Sequence, residues 1–233
     1  NISPQAPADI SSGSNAIISV YDIDSGSRGF VVNMTQISSG QGVGSVHGNT
    51  WQGAEKQVLG EYIDPDTDEA YINEADPDSY EGWSYYPEIT ETINWNQDAP
   101  GAAGNFNASN GYEDEAIPGI PGWGDSTDGI AAEILTILYL ESGTHTLGVN
   151  SDDGFRATLC ANYRDVLPQV IGASEGSGES TFSVEVAESG YYPLRVVWWE
   201  TTWGAHLELF SVVGDQKILI NDSGNENAVK AYV

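Results

Sequence analysis

The run Asn150-Ser151-Asp152-Asp153-Gly154-Phe155-Arg156 sets two adjacent carboxylates in front of a glycine. Neighbouring carboxylates repel one another, and a shared hard cation relieves that repulsion; calcium takes about six to eight oxygen ligands of this kind. Asn150, at the head of the run, is counted with Asp152 and Asp153 as a candidate ligand. The same spacing fits an Asx-type turn, in which both aspartates only cap backbone amides. Thr144 to Val149 and Phe155 to Leu159 alternate polar or small with apolar residues as strands do, so the acidic pair is expected on a hairpin turn between them.

Other carboxylates compete for a metal. Asp64, Asp66 and Asp68 offer oxygens at alternate positions, and Asp76-Pro77-Asp78 repeats the start twelve residues later. An EF-hand loop needs a glycine at its sixth position and a glutamate at its twelfth. Here those positions hold Glu69 and Ala75, so that motif fails; a looser calcium-ordered loop and a solvated one both fit. Glu113-Asp114-Glu115 and the span from Asp125 to Asp128 read as exposed charge. Catalytic patterns are poor. His47, His145 and His206 are scattered, no Ser-His-Asp spacing occurs, and the His and Cys clusters of transition-metal sites are missing. Glycoside hydrolysis needs only two carboxylates, so counting does not dismiss it.

Aspartate and glutamate total 35 against 7 lysines and arginines, a formal net charge of -28. Phosphate backbones and anionic membrane surfaces are therefore repelled, while salt or divalent cations relieve the self-repulsion. Hydrophobic residues make up 39%, with 7 Trp, 12 Tyr and 5 Phe, too much apolar material for a disordered acidic tail. No run approaches the roughly 20 apolar residues of a membrane span. A start at Asn1, with neither Met nor an apolar leader, points to a mature secreted chain. The lone Cys160 excludes an internal disulfide and reads as a small strand hydrophobe.

The elements that must position these residues are mostly strands. Residues 1-15, rich in Pro, Ser, Gly and Asn, read as an N-terminal arm, and 16-233 as one domain. Ala16 to Ile23 and Phe30 to Ile37 alternate as strands. Trp51, Ala54, Val58 and Leu59 recur at helical spacing, with Asn49 or Thr50 as N-cap and Gly60 as the stop, so one short helix is expected near 50-60. Residues 62-128 form long acidic loops with brief strand-like pieces such as Glu88 to Trp95. Ile130 to Leu140, which Glu141-Ser142-Gly143-Thr144 closes as a hairpin, starts a regular series. Thr144 to Asn150, Phe155 to Leu159, Thr181 to Val186, Tyr191 to Trp199, Ala205 to Val213 and Gln216 to Asn221 continue it. The class is all-β, a sandwich or barrel.

Aromatic residues mark two loops: Trp198, Trp199 and Trp203 on one, Trp83, Tyr85, Tyr86 and Trp95 near the other. Exposed indoles stack on sugar rings. Alternation requires that one of Trp198 and Trp199 point inward, and Trp203, in the loop, is the better binding candidate.

Val149 to Arg156, Ser189 to Val196 (Ser-Gly-Tyr-Tyr-Pro-Leu-Arg-Val) and Gly204 to Phe210 (Gly-Ala-His-Leu-Glu-Leu-Phe) follow in this order, and in this the chain resembles the anthrax protective-antigen-type domain, the PA-fourteen family. The match is specific over residues 128-213. Glu55 to Gly60, Ile117 to Gly122, Ile218 to Asp222 and Ala228 to Tyr232 resemble an extended form found in large secreted bacterial proteins. The resemblance implies an antiparallel β-sandwich of jelly-roll kind, found in glycosidases, toxins and surface adhesins, that often binds carbohydrate and accompanies enzymes without catalysing. In the fungal adhesin branch consecutive aspartates, joined by a cis peptide, coordinate calcium that bridges sugar hydroxyls. These roles map onto Asp152 and Asp153. The family's other ligands come from a later loop, matched nearest by Trp199-Glu200-Thr201-Thr202-Trp203-Gly204. The family's asparagine has no unambiguous counterpart there, and Glu200 stands as its substitute.

The sequence thus predicts a non-enzymatic extracellular or cell-surface module for calcium-dependent carbohydrate recognition or adhesion. Its expected metal ligands are drawn from Asp152, Asp153, Asn150 and Glu200, with Asp64, Asp66 and Asp68 as a second group, and its ligand-binding residues are Trp203, Trp199 and Arg156. The expected partner is a glycan or cell-surface polysaccharide, with no nucleic acid and no membrane insertion. The alternative is a self-assembling subunit of an extracellular filament or surface layer, whose arm contacts further copies by strand addition.

Overall fold

The computed structural model describes residues 8-9, 27-75, 87-159 and 169-233. The strand expected at 16-23, most of the arm, Asp76, Asp78, Trp83, Tyr85, Tyr86 and Cys160 lie outside them. In chain order the elements are β1 (Ala8–Asp9), β2 (Phe30–Gln36), α1 (Trp51–Val58), β3 (Glu88–Ile89), β4 (Asn94–Asn96), β5 (Ile130–Leu140), β6 (Gly143–Asp152) and β7 (Gly154–Leu159), followed by β8 (Gln169–Ser174), β9 (Gly178–Val186), β10 (Gly190–Glu200), β11 (His206–Val213), β12 (Gln216–Leu219) and β13 (Lys230–Tyr232).

They form a two-sheet β-sandwich. The first sheet runs β1-β9-β6-β11, with β12 and β4 sharing one edge of β11; the second runs β3-β2-β5-β10-β7-β8, with β13 beside β2 on the edge of β5. Alternate residues of each strand meet between the sheets. Ile130, Ala132, Ile134 and Leu138 of β5, Leu194, Val196 and Trp198 of β10, and Leu147, Val149, Leu207 and Leu209 of the facing sheet belong to one buried cluster.

Helix α1 covers the outer face of the second sheet. Thr50 caps it, its hydroxyl accepting from the Gly53 amide at 3.1 Å, and Gly60 ends it at φ 69°. Ala54 and Val58 pack on Ala131, Val197 and Trp199. Arg195 clamps the helix to the sheet, donating to both Glu55 oxygens at 2.6 Å and to Glu133 at 2.5 Å.

This cover corrects one expectation. Trp198 and Trp199 are both buried, one between the sheets and the other beneath α1. Each indole takes about 150–250 Å² out of water, on the order of 4 kcal/mol.

A second correction concerns the turns. Strand β6 lies in the first sheet and β7 in the second, so Asp152-Asp153-Gly154 crosses between sheets and is no hairpin. The same holds for the link between β5 and β6. Strand β8 was absent from the sequence reading, because Gly172 breaks its short alternation; it pairs along β7 through a register shift at Ala157 and Thr158.

Candidate metal centre and recognition loop

Three links between the sheets meet at one end of the sandwich: Asp153 between β6 and β7, Glu175 to Ser177 between β8 and β9, and Thr201 to Ala205 between β10 and β11. Register brings them together. Glu200, the last residue of β10, pairs with Ile130, the first of β5, and Trp199 pairs with Gly154. The residues preceding β5 therefore lie beside Thr201, and the Gly129 amide donates to Thr201 O at 3.1 Å.

Glu200 is fully buried, and neither of its carboxylate oxygens has a hydrogen-bond partner. Burial, followed by the charges of Asp128, Asp153 and Asp152, pushes its pKa up to about 9. A buried carboxylate without a partner is among the costliest arrangements in a fold, and such groups are retained where a cation is held.

The neighbouring aspartates are partly engaged. The Asp152–Asp153 peptide is cis. Asp152 O accepts from the Trp198 indole at 3.0 Å, and its Oδ1 accepts from the Ser177 hydroxyl. Asp153 N donates to Trp199 O at 3.0 Å, and its Oδ2 accepts from the Thr201 amide at 3.0 Å. Asp128 Oδ1 accepts from the Trp203 amide at 3.0 Å.

His47 closes the inner side, its Nε2 2.9 Å from Glu200 O and its Nδ1 without a partner. Burial lowers its pKa, so the imidazole stands neutral. The His47 segment reaches this point because Gly53 leaves room: a Cβ there would fall 1.9 Å from His47 O.

These groups suit a hard cation. All the charged donors are carboxylate oxygens, and two of them are buried and unpaired. Among the described residues no three His, Cys, Asp or Glu side chains already stand at metal-holding distances.

The other expected residues fall elsewhere. Asn150 is engaged by Glu208 and His206, its Nδ2 3.1 Å from Glu208 Oε2 and its Oδ1 3.3 Å from the His206 ring. Asp64 caps its own turn, accepting from the Asp66 amide at 2.9 Å; Asp66 and Asp68 are exposed, and none of the three acts on Glu200. Trp199 is buried and its indole donates to Asn49 Oδ1 at 2.8 Å. It does line a cavity of about 280 Å³ with Trp51, Phe155, Ala173, Ser174 and Glu175. Arg156 stacks over the Trp51 ring at 4.2 Å. Trp203, by contrast, is 86% exposed on the loop that follows Glu200.

Sequence reasoning placed Asp128 among solvated charges and gave Ser177 no role. The one available signal for Asp128 was its position just ahead of a strand, which gains meaning only when β5 is known to pair with β10.

No family model and no curated protein matches the chain. Among solved structures, the epithelial adhesin 9 A domain of Candida glabrata in complex with Galβ1-4GlcNAc superposes with a TM-score of 0.50 at 8% identity, covering 88% of this chain and 89% of that one. A subtype-switched form of that domain, in complex with β-lactose, gives 0.50 at 8%, covering 88% of each. The PA14 sugar-binding domain from an RTX adhesin gives 0.46 at 14%, covering 83% and 95%. The likeness is one of fold: the two sheets form a PA14-type sandwich.

Proposed function

We propose that this PA14-type sandwich is an extracellular, non-enzymatic carbohydrate-recognition or adhesion module. Its calcium ion is held by Asp152, Asp153 and Glu200, with Asp128 beside them. The observation that carries this reading is Glu200, sealed in the protein with both carboxylate oxygens unpaired among three aspartates. When bound, calcium supplies a charge that sugar hydroxyls can coordinate. Asp152 and Asp153 span the two sheets and fix where that charge sits. Trp203 offers the indole face on which a pyranose ring stacks.

The galactosides carried by the neighbouring structures, lactose and Galβ1-4GlcNAc, are the first probes. Calorimetry on chelator-stripped protein should show calcium binding, and glycan binding that requires it; glycan binding unaffected by chelation would contradict the reading. Trp203→Ala is expected to leave thermal unfolding unchanged, because the side chain is almost wholly in solvent, while lowering glycan affinity about 10-fold.

A second reading, a self-assembling subunit, is favoured by the edge of β9. Ala8–Asp9 adds to it in parallel at Val184 and Glu185, which is a small part of Gly178–Val186. The same addition made between copies would link them. Light scattering of the intact chain and of a form without residues 1-15 tests this. A mass that falls on deletion supports assembly through the arm, and an equal monomer mass in both opposes it.

A further inference from the structure

Of the three aspartates that crowd Glu200, two also grip the loop that carries Trp203 and the third lies against it. Asp153 Oδ2 takes the Thr201 amide and Asp128 Oδ1 takes the Trp203 amide, each at 3.0 Å. A Cβ on Gly204 would stand 3.3 Å from Asp152 Oδ2. Trp203 itself sits at φ 88°, a conformation uncommon for a bulky residue, with its side chain in solvent. What holds it there is the backbone, and the bond from its own amide goes to Asp128.

We propose that Asp128 is the positioning residue through which cation occupancy controls the presentation of Trp203. This deepens the calcium-dependent recognition reading and rests on it. Without a cation, the charges of the three aspartates crowd one another around Glu200, and that repulsion loosens the carboxylates that anchor the loop. A bound cation removes the repulsion and leaves Asp128 free to fix the Trp203 amide. Asp128 suits this role because its backbone is tied down independently: Gln36 Nε2 donates to Asp128 O at 3.0 Å, and Asp128 N donates to Ser126 Oγ at 3.1 Å. The coupling is reciprocal, so a glycan resting on Trp203 tightens calcium binding by the factor by which calcium tightens glycan binding, on the order of 10-fold.

The test is hydrogen exchange at the Trp203 backbone amide, with and without saturating calcium and with no glycan present. Calcium should slow exchange roughly 10-fold in the intact protein. Asp128→Ala should still bind calcium by calorimetry while losing the slowing, and Asp128→Asn, which keeps an acceptor oxygen, should retain most of it. Unchanged exchange in the intact protein at calcium saturation overturns the proposal, as does equal slowing in Asp128→Ala. If the intact protein binds no calcium, the recognition reading itself fails; calcium binding without protection of Trp203 removes only the coupling.

Discussion

Glu200→Gln should stabilise the chelator-treated protein at pH 7 by about 3 kcal/mol while weakening its hold on calcium. The sign follows from burial. In the folded chain the Glu200 carboxyl is raised from an ordinary 4.5 to about 9. Its contribution to stability is fully present below about 4.5 and is lost progressively as pH rises to about 9. Glutamine and a protonated glutamate leave similar unpaired polar atoms in the same place, so the difference between them is the charge that wild type cannot ionise without cost. Chemical denaturation between pH 4 and 9 in the presence of chelator measures it: the two proteins should converge in acid and separate with rising pH. Adding calcium should reverse the order, because the glutamate gains the larger binding energy. A Gln variant less stable than wild type in chelator at pH 7 would show that the Glu200 carboxylate makes a stabilising contact within the protein alone.

Asp153→Asn should lower calcium affinity roughly 100-fold, and glycan binding should fall with it. The amide keeps an oxygen for the Thr201 N–H that Asp153 Oδ2 now accepts at 3.0 Å, so the loop retains its anchor. What is lost is a negative charge beside Glu200. In chelator the variant should be no less stable than wild type, since the amide keeps the loop anchor and removes one of the charges crowded around Glu200. Calcium calorimetry and denaturation in chelator read the two effects separately. Unchanged calcium affinity would remove Asp153 from the site.

The strands of the second half were legible because their alternation matches burial on one face: β5 runs from Ile130 to Leu140, the limits read from sequence. Helix α1 was legible from Thr50, Gly60 and the apolar spacing between them. The acidic pair and Glu200 were also legible as candidates. Their convergence was not, because it depends on which strands share a sheet. A glycine-containing acidic turn between two alternating segments has the same sequence whether it folds as a hairpin or crosses from one sheet to the other. The burial of Trp199 depends likewise on α1, some 140 residues away in the chain, lying over its face. Asp128 was read as solvated charge because its one local signal, a place just ahead of a strand, names no partner; Trp203 comes 75 residues later.

The most direct measurement is a crystal structure of the protein grown with calcium. The account predicts one ion at about 2.3–2.6 Å from oxygens of Glu200, Asp152 and Asp153. A Glu200 carboxylate with no ion beside it, or calcium bound only in the turn of Asp64, Asp66 and Asp68, would contradict it.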